Sequence, residues 1–223
     1  MQPVSVVVPA YNEADTVVST LKVLDRLDEV SEIIVVDDGS TDNTAVLAEK
    51  QGAKVLSLEK NRGKGEAVWA GLSRITYPVV ALVDADLGFS AGEIKKLIEP
   101  VVEGKAEMTV AVFPARRKRG GFGLVKRIAR GGVYLLTGKI LREPLSGQRV
   151  LKSNTIRSIK RIPQGFGLET ALTLAVMRRG YKVKEVEVNM YHRERGKEPA
   201  SFWHRGRQML AVLRELWRGA VFR

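Results

Sequence analysis

The 223-residue sequence has no cysteine. Disulfides, thiol nucleophiles and zinc sites built on thiolates are therefore excluded, and a reducing, cytoplasmic compartment is the simplest expectation. No run of about 18 apolar residues occurs, so no helix is expected to span a membrane. Met1-Gln2-Pro3 leads straight into a strand-like run, and no signal peptide is expected. Aromatic residues are only 6% of the chain, which argues against a nucleic-acid module built on stacking platforms. Acidic residues are missing altogether between Met108 and Arg142, a segment that carries nine Lys and Arg.

At 44% hydrophobic and 28% charged, the chain can bury a substantial core as one large domain. Its net charge of +12 favours anionic partners. The apolar pattern alternates between short buried strands and helices. Strands are expected at Val4–Val8, Glu32–Val36, Lys54–Leu58 and Val79–Val83, with Val4–Val8 apolar on both sides of the pleat as in a parallel sheet covered on both faces. Helices are expected from Asn12-Glu13-Ala14-Asp15 through about Leu27, from Asn43 to Gln51 with Gly52 closing it, and over Glu66–Ile75. Asn61-Arg62-Gly63-Lys64-Gly65 reads as a loop. Later elements are a helix over Ser90–Val102 with Ser90 as its N-cap, a strand at Met108–Phe113, and a helix following the basic stretch to about Leu141. A strand at Ser146–Lys152, a helix over Gly165–Arg179, a strand at Lys182–Tyr191 and an amphipathic helix over Ser201–Val221 complete the pattern. This is an α/β domain with a mainly parallel sheet.

In such a sheet ligands collect beyond the carboxyl ends of the strands. Four of these ends carry polar segments, two of them with glycine: Pro9-Ala10-Tyr11-Asn12-Glu13, Asp37-Asp38-Gly39-Ser40, Asn61 to Gly65, and Asp84-Ala85-Asp86. Asp84 and Asp86 would face the same way on an extended chain. Paired carboxylates there suit Mg2+ or Mn2+ shared with substrate phosphates. Alternatively, Asp84 caps the next turn and Asp86 is solvated. Lys64, between two glycines, can reach a phosphate where the backbone approaches closely. It could equally be an ordinary exposed lysine. Neither GKG nor the GFG at Gly121–Gly123 has the context of a nucleotide fingerprint.

"VVVPAYNEADTV", "IIVVDDGSTDNT", "NRGKGEAVWAG" and "ALVDADL" together resemble family 2-like glycosyltransferases, in order and in spacing. That resemblance implies a GT-A (Rossmann-like) fold and a nucleotide-sugar donor, with UDP favoured over GDP. It implies that Pro9, Ala10, Tyr11, Glu13, Asp38, Gly39, Gly63, Lys64, Asp84, Ala85 and Asp86 line the donor, with Glu13 at the ribose and Asp38 at the base. "EPLSGQRVLKSNTIRSIKRIPQGFGLETALTLAVMRRGYKVKEVEVNMYHR" resembles the acceptor half of glucosyl-3-phosphoglycerate synthases. This implies that Gly147 and Gln148 adjoin the donor, that Glu169 lies at the sugar, and that His192 joins Asp86, and perhaps Asp84, on the metal. Asp86, Glu169 and Lys64 are then the catalytic set. Glu169 is a general base if the enzyme inverts and a sugar-positioning group if it retains.

At the acceptor the chain departs from the synthase pattern. Those enzymes place an Arg and a Thr after the paired glycines; "GGFGLVKRIAR" has Phe122 and Leu124 there. Gly121, Phe122, Lys126 and Arg127 remain the acceptor candidates. The basic segment still suits an anionic acceptor, with a polyprenyl phosphate at a membrane surface as the alternative. The expected plan is one domain with a nucleotide-sugar half (1–90), an acceptor half (91–200) and a terminal helix (201–223). That helix would dock on the domain or on a second subunit, or else lie on a membrane surface. A nucleotidyltransferase is disfavoured because PAYNE lacks a Gly-rich basic loop after the first strand.

Overall fold

The computed structural model describes residues 2–114, 122–157 and 167–193. Seven strands form one sheet: β1 (Val4–Ala10), β2 (Val30–Asp37), β3 (Lys54–Ser57), β4 (Val79–Leu82), β5 (Met108–Val112), β6 (Arg149–Lys152) and β7 (Val183–Glu187). Their order is β3-β2-β1-β4-β6-β5-β7. All adjacent pairs are parallel except those made by β6, which runs antiparallel to β4 and to β5. The helices are α1 (Val17–Leu24), α2 (Thr44–Lys50), α3 (Lys64–Leu72), α4 (Lys95–Val102), α5 (Phe122–Thr137), α6 (Ser153–Arg157) and α7 (Leu168–Arg178). This is the expected GT-A sheet with flanking helices. The expected C-terminal amphipathic helix lies outside the described residues, as does Gly121, and the side chain of Phe122 is likewise outside them.

The central strands are apolar on both sides because both faces are covered. Val4, Val6 and Val8 of β1 pack with Val17, Leu21 and Leu24 of α1 and with Leu97 and Ile98 of α4. Val7 points the other way, into a layer containing Ala67, Val68 and Leu72 of α3 and Leu168, Leu172 and Val176 of α7. Gly71 lets α3 lie close on the sheet: a methyl group there would meet Val7 Cγ1 at 2.4 Å. Helix α5 packs outside α7, through Val133 against Leu174 and Met177.

Several boundaries differ from the sequence expectation, each for a local reason. Helix α1 begins at Val17 because Asn12 adopts φ +53° and the residues after it bond to the next loop instead. The Asn12 and Glu13 amides donate to Ser40 Oγ and Thr44 Oγ1. Helix α3 begins two residues early, at Lys64, because Gly63 takes φ +93° and its carbonyl already accepts from Glu66 and Ala67. Lys64 and Gly65 are therefore helical, not loop. Ser90 is not an N-cap: it lies inside a 3-10 turn, Gly88–Ile94, and its hydroxyl donates to the Leu87 carbonyl.

Near the amino-terminal side of the sheet, Glu32 gathers the backbone. Its buried carboxylate accepts from Ser5 Oγ at 2.5 Å, the Thr76 amide at 2.7 Å and Lys54 Nζ at 2.8 Å. Burial alone would raise its pKa; the hydrogen bonds from Lys54, Ser5 and Thr76 overcome this and hold it below its ordinary value of 4.5. Lys54 is 67% exposed, so the ion pair itself contributes little; the buried hydroxyl and amide matter more. A carboxyl depressed in the folded state adds stability above its unfolded pKa and loses it as pH falls through the folded one. Glu32→Gln should cost about 2–4 kcal/mol at neutral pH. The difference from wild type should shrink below about pH 4.5, as read by urea titration across pH. A pH-independent difference would contradict this assignment.

Candidate active site

Parallel strands end on one edge, and β6, running the other way, begins there. The antiparallel pair Leu82–Arg149 therefore sets the residues just after β4 beside those just before β6. Asp84 and Gly147 meet at this junction, and a methyl group on Gly147 would lie 2.6 Å from Lys64 Nζ and 3.1 Å from Asp84 Oδ2. Lys64, the first residue of α3, reaches in from the β3 side. Its ammonium lies 2.6 Å from Asp84 Oδ1 and 3.8 Å from Glu169 Oε1, at the start of α7.

Burial alone would push the Lys64 ammonium down and the Asp84 carboxyl up. Their mutual attraction prevails, with Glu169 and Asp86 adding to it at Lys64, so Lys64 is held above and Asp84 below the ordinary range. Gln148 lies fully buried behind Asp84.

Asp86 faces a different partner. The segment after β7 crosses back over the 3-10 turn, with the Tyr191 amide bonded to Ser90 Oγ and the Arg193 amide donating to the Asp86 carbonyl. This brings His192 Nδ1 to 2.8 Å from Asp86 Oδ1, with the Phe113 ring stacked on the imidazole at 5.5 Å. The hydrogen bond to Asp86 raises the imidazole pKa; burial opposes it, and the charges of Asp86 and Asp84 reinforce it. From below, Thr20 Oγ1 pins the acidic turn, donating to the Ala85 carbonyl and accepting from the Gly88 amide, both at 2.9 Å.

Asp84, Asp86 and His192 each offer a ligand atom, all within 4.8 Å of one another. Two hard carboxylates and one imidazole fit Mg2+ or Mn2+. Beside them a small recess is lined by Pro9, Lys64, Asp84, Gly147, Arg149 and Glu169, among others.

Arg149 is the main participant that the sequence reading passed over. It is fully buried, and it donates Nε to the Ser146 carbonyl, one terminal nitrogen to Thr173 Oγ1 and the other to the Pro144 carbonyl. Burial pushes the guanidinium down to about 10, against the charges of Glu169 and Glu185. An arginine directly before the apolar pair Val150-Leu151 is the available signal.

The remaining candidates are distributed as follows. Pro9 lines the recess, Ala10 and Ala85 are buried, and Tyr11 is exposed. Glu13 accepts a bond from Thr16 Oγ1. Gly39 takes φ +71° where its loop presses on Lys60 and Asn61. Asp38 is buried, and its two oxygens accept the amides of Arg62 and Gly63 at 2.8 Å each. On α5, Lys126 pairs with Glu143 and Arg127 is exposed.

Residues 5–158 match the model of glycosyl transferase family 2, and the chain belongs to that family. It is 30% identical over 204 residues to glycosyltransferase AglJ of Haloferax volcanii, an alignment covering 87% of this chain and 65% of AglJ. It is also 30% identical over 222 residues to an uncharacterized glycosyltransferase of Mycobacterium tuberculosis, covering 96% of each. Among solved structures it resembles the glucosyl-3-phosphoglycerate synthase of Mycobacterium tuberculosis in complex with Mn2+, uridine diphosphate and glucosyl-3-phosphoglycerate. That match has a TM-score of 0.81 at 27% identity, over 98% of this chain and 80% of the synthase.

The close approach at Gly147 carries a test. Gly147→Ala should destabilise the protein by no more than about 1 kcal/mol in denaturant titration, because the half-exposed Lys64 side chain can swing away from the methyl group at the expense of its contact with Asp84. In a Lys64→Ala background the cost should be smaller, since one of the two crowded groups is gone. Equal costs in both backgrounds would show that the methyl group is accommodated some other way.

Proposed function

We propose that this protein transfers a sugar from a UDP-sugar to a phosphorylated acceptor with the help of Mg2+ or Mn2+. The observation that carries this reading is the row Lys64, Asp84, Asp86 and His192 along the carboxyl edge of the sheet, with Glu169 facing it across Lys64. The donor half of the reading is supported by the similar synthase, whose structure holds UDP and Mn2+.

Asp86 and His192, with Asp84 beside them, would hold the cation. When bound, the cation neutralises charge on the departing diphosphate. Lys64 supplies a second positive group there, half-exposed and directed between two carboxylates. Glu169 stands where it can accept hydrogen bonds from sugar hydroxyls and so orient the ring. Glu13 and Asp38 belong to the donor side in this scheme, at the first and second strand ends. Lys126 and Arg127 of α5 stand on the acceptor side. The acid-free basic segment from Met108 to Arg142 favours an acceptor that carries phosphate. Among the described residues no helix is long and apolar enough to cross a membrane.

The decisive experiment is a UDP-sugar transfer screen read by mass spectrometry, with phosphoglycerate, glycerol phosphate and a short polyprenyl phosphate as acceptors. Transfer to one of them in the presence of Mn2+ is expected. Asp86→Ala should reduce metal-dependent turnover by at least about 100-fold. Near-wild-type turnover in that variant would overturn the assignment.

A further inference from the structure

The two acids of the turn after β4 have different partners. Asp86 Oδ1 faces His192 Nδ1 at 2.8 Å. Asp84 Oδ1 is taken by the Lys64 ammonium at 2.6 Å, while the contact of that lysine with Glu169 is longer, at 3.8 Å. Asp84 nevertheless has a ligand atom within 4.8 Å of those of Asp86 and His192, close enough to join them on one cation. The Lys64 ammonium and a cation among these three groups therefore compete for one carboxylate.

The site is shaped to let the lysine win while no nucleotide is bound. Gly147 leaves the space that the ammonium fills, since a methyl group there would lie 2.6 Å from Nζ and 3.1 Å from Asp84 Oδ2. Two carboxylates would neutralise a divalent cation outright; Lys64 already cancels one of them. What is left uncommitted is Asp86 with His192. A hard cation wants about six oxygen-type ligands and commonly draws several of them from substrate phosphates and water. Two protein ligands alone hold it weakly. The Lys64 side chain is 39% exposed, so it can turn from Asp84 toward an arriving anion without crossing the core.

We infer that Lys64, besides facing the donor phosphates, keeps Asp84 from ligating a cation in the nucleotide-free protein, so that the site holds Mg2+ or Mn2+ weakly until a nucleoside diphosphate brings oxygens of its own. This rests on the reading above for the roles of Asp86 and His192. Lys64 acts as a fixed positive charge, and no proton moves. Cation and nucleotide are then linked through one side chain, and each raises the affinity for the other.

Mn2+ alone is the first probe, titrated into the nucleotide-free protein and followed by electron paramagnetic resonance of the free ion. Lys64→Met should bind it about tenfold more tightly than wild type, the scale on which neighbouring groups tune metal affinity. Loss of charge repulsion alone would also tighten binding, so two further measurements separate the causes. Adding Asp84→Ala to Lys64→Met should remove the gain. Water proton relaxation should count one fewer water on Mn2+ bound to Lys64→Met than on Mn2+ bound to wild type, because Asp84 has replaced it. A gain that survives Asp84→Ala, or an unchanged water count, would overturn the inference. With UDP present, wild type should gain more Mn2+ affinity from the nucleotide than Lys64→Met does; equal gains would contradict the linkage. Equal Mn2+ binding by wild type and Lys64→Met would overturn the inference alone. No Mn2+ binding by either protein, with or without UDP, would overturn the metal reading as well.

Discussion

Strand β6 pairs with β4 in the opposite direction, Val79 to Leu82 against Lys152 to Arg149, and so starts at the edge where its neighbours stop. In an all-parallel sheet, the segment before a strand lies at the far edge from the ligand site. Here the reversal delivers Gly147 and Gln148 to Asp84, although more than 60 residues of chain separate them. The small size of Gly147 then decides how closely Lys64 can approach Asp84. Strand β7 resumes the common direction beside β5, so the chain leaving it returns to the same edge and carries His192 to Asp86. The reversal at β6 and the return of β7 together bring groups distant in the chain to one edge.

A second constraint acts on the other side of the sheet. Helix α3 can carry Lys64 into the site only because it lies close on β1 and β2, and Gly71 permits that approach where any side chain would strike Val7. The acidic turn after β4 is held in a similar way from beneath, by Thr20 of α1 bonding to both of its ends. The charged groups of the site thus project from elements whose backbones are fixed by small residues and buried hydroxyls. This is the preorganisation that a site needs if its charges are to stabilise a developing charge without moving.

Much of this was legible in the sequence. The largely apolar strands, their polar ends and the DAD triplet announced the sheet, its direction and its loaded edge. They did so because parallel pairing leaves strong compositional signs in Val4–Val8, Glu32–Val36 and Val79–Val83. The pairing of His192 with Asp86 came from family resemblance; nothing local to Tyr191-His192-Arg193 points across 106 residues. Other features depended on tertiary partners that sequence patterns do not show. The late start of α1 follows from bonds between Asn12–Ala14 and the Ser40–Thr44 loop, which compete with the first helical turn. The early start of α3 follows from a glycine dihedral. Arg149 was read as one more residue of a strand, since burial of a guanidinium is decided by carbonyls at Pro144 and Ser146 and a hydroxyl at Thr173, none of which marks itself in advance.

Arg149 makes its hydrogen bonds to neutral groups, and among the described residues no carboxylate lies within ion-pair distance of it. Its charge is met only at longer range, by Glu169 and Glu185. Arg149 therefore works as a tie rod: one rigid guanidinium joins the segment before β6 to α7 through Ser146, Pro144 and Thr173, so the stretch that presents Gly147 cannot shift without breaking a buried hydrogen bond.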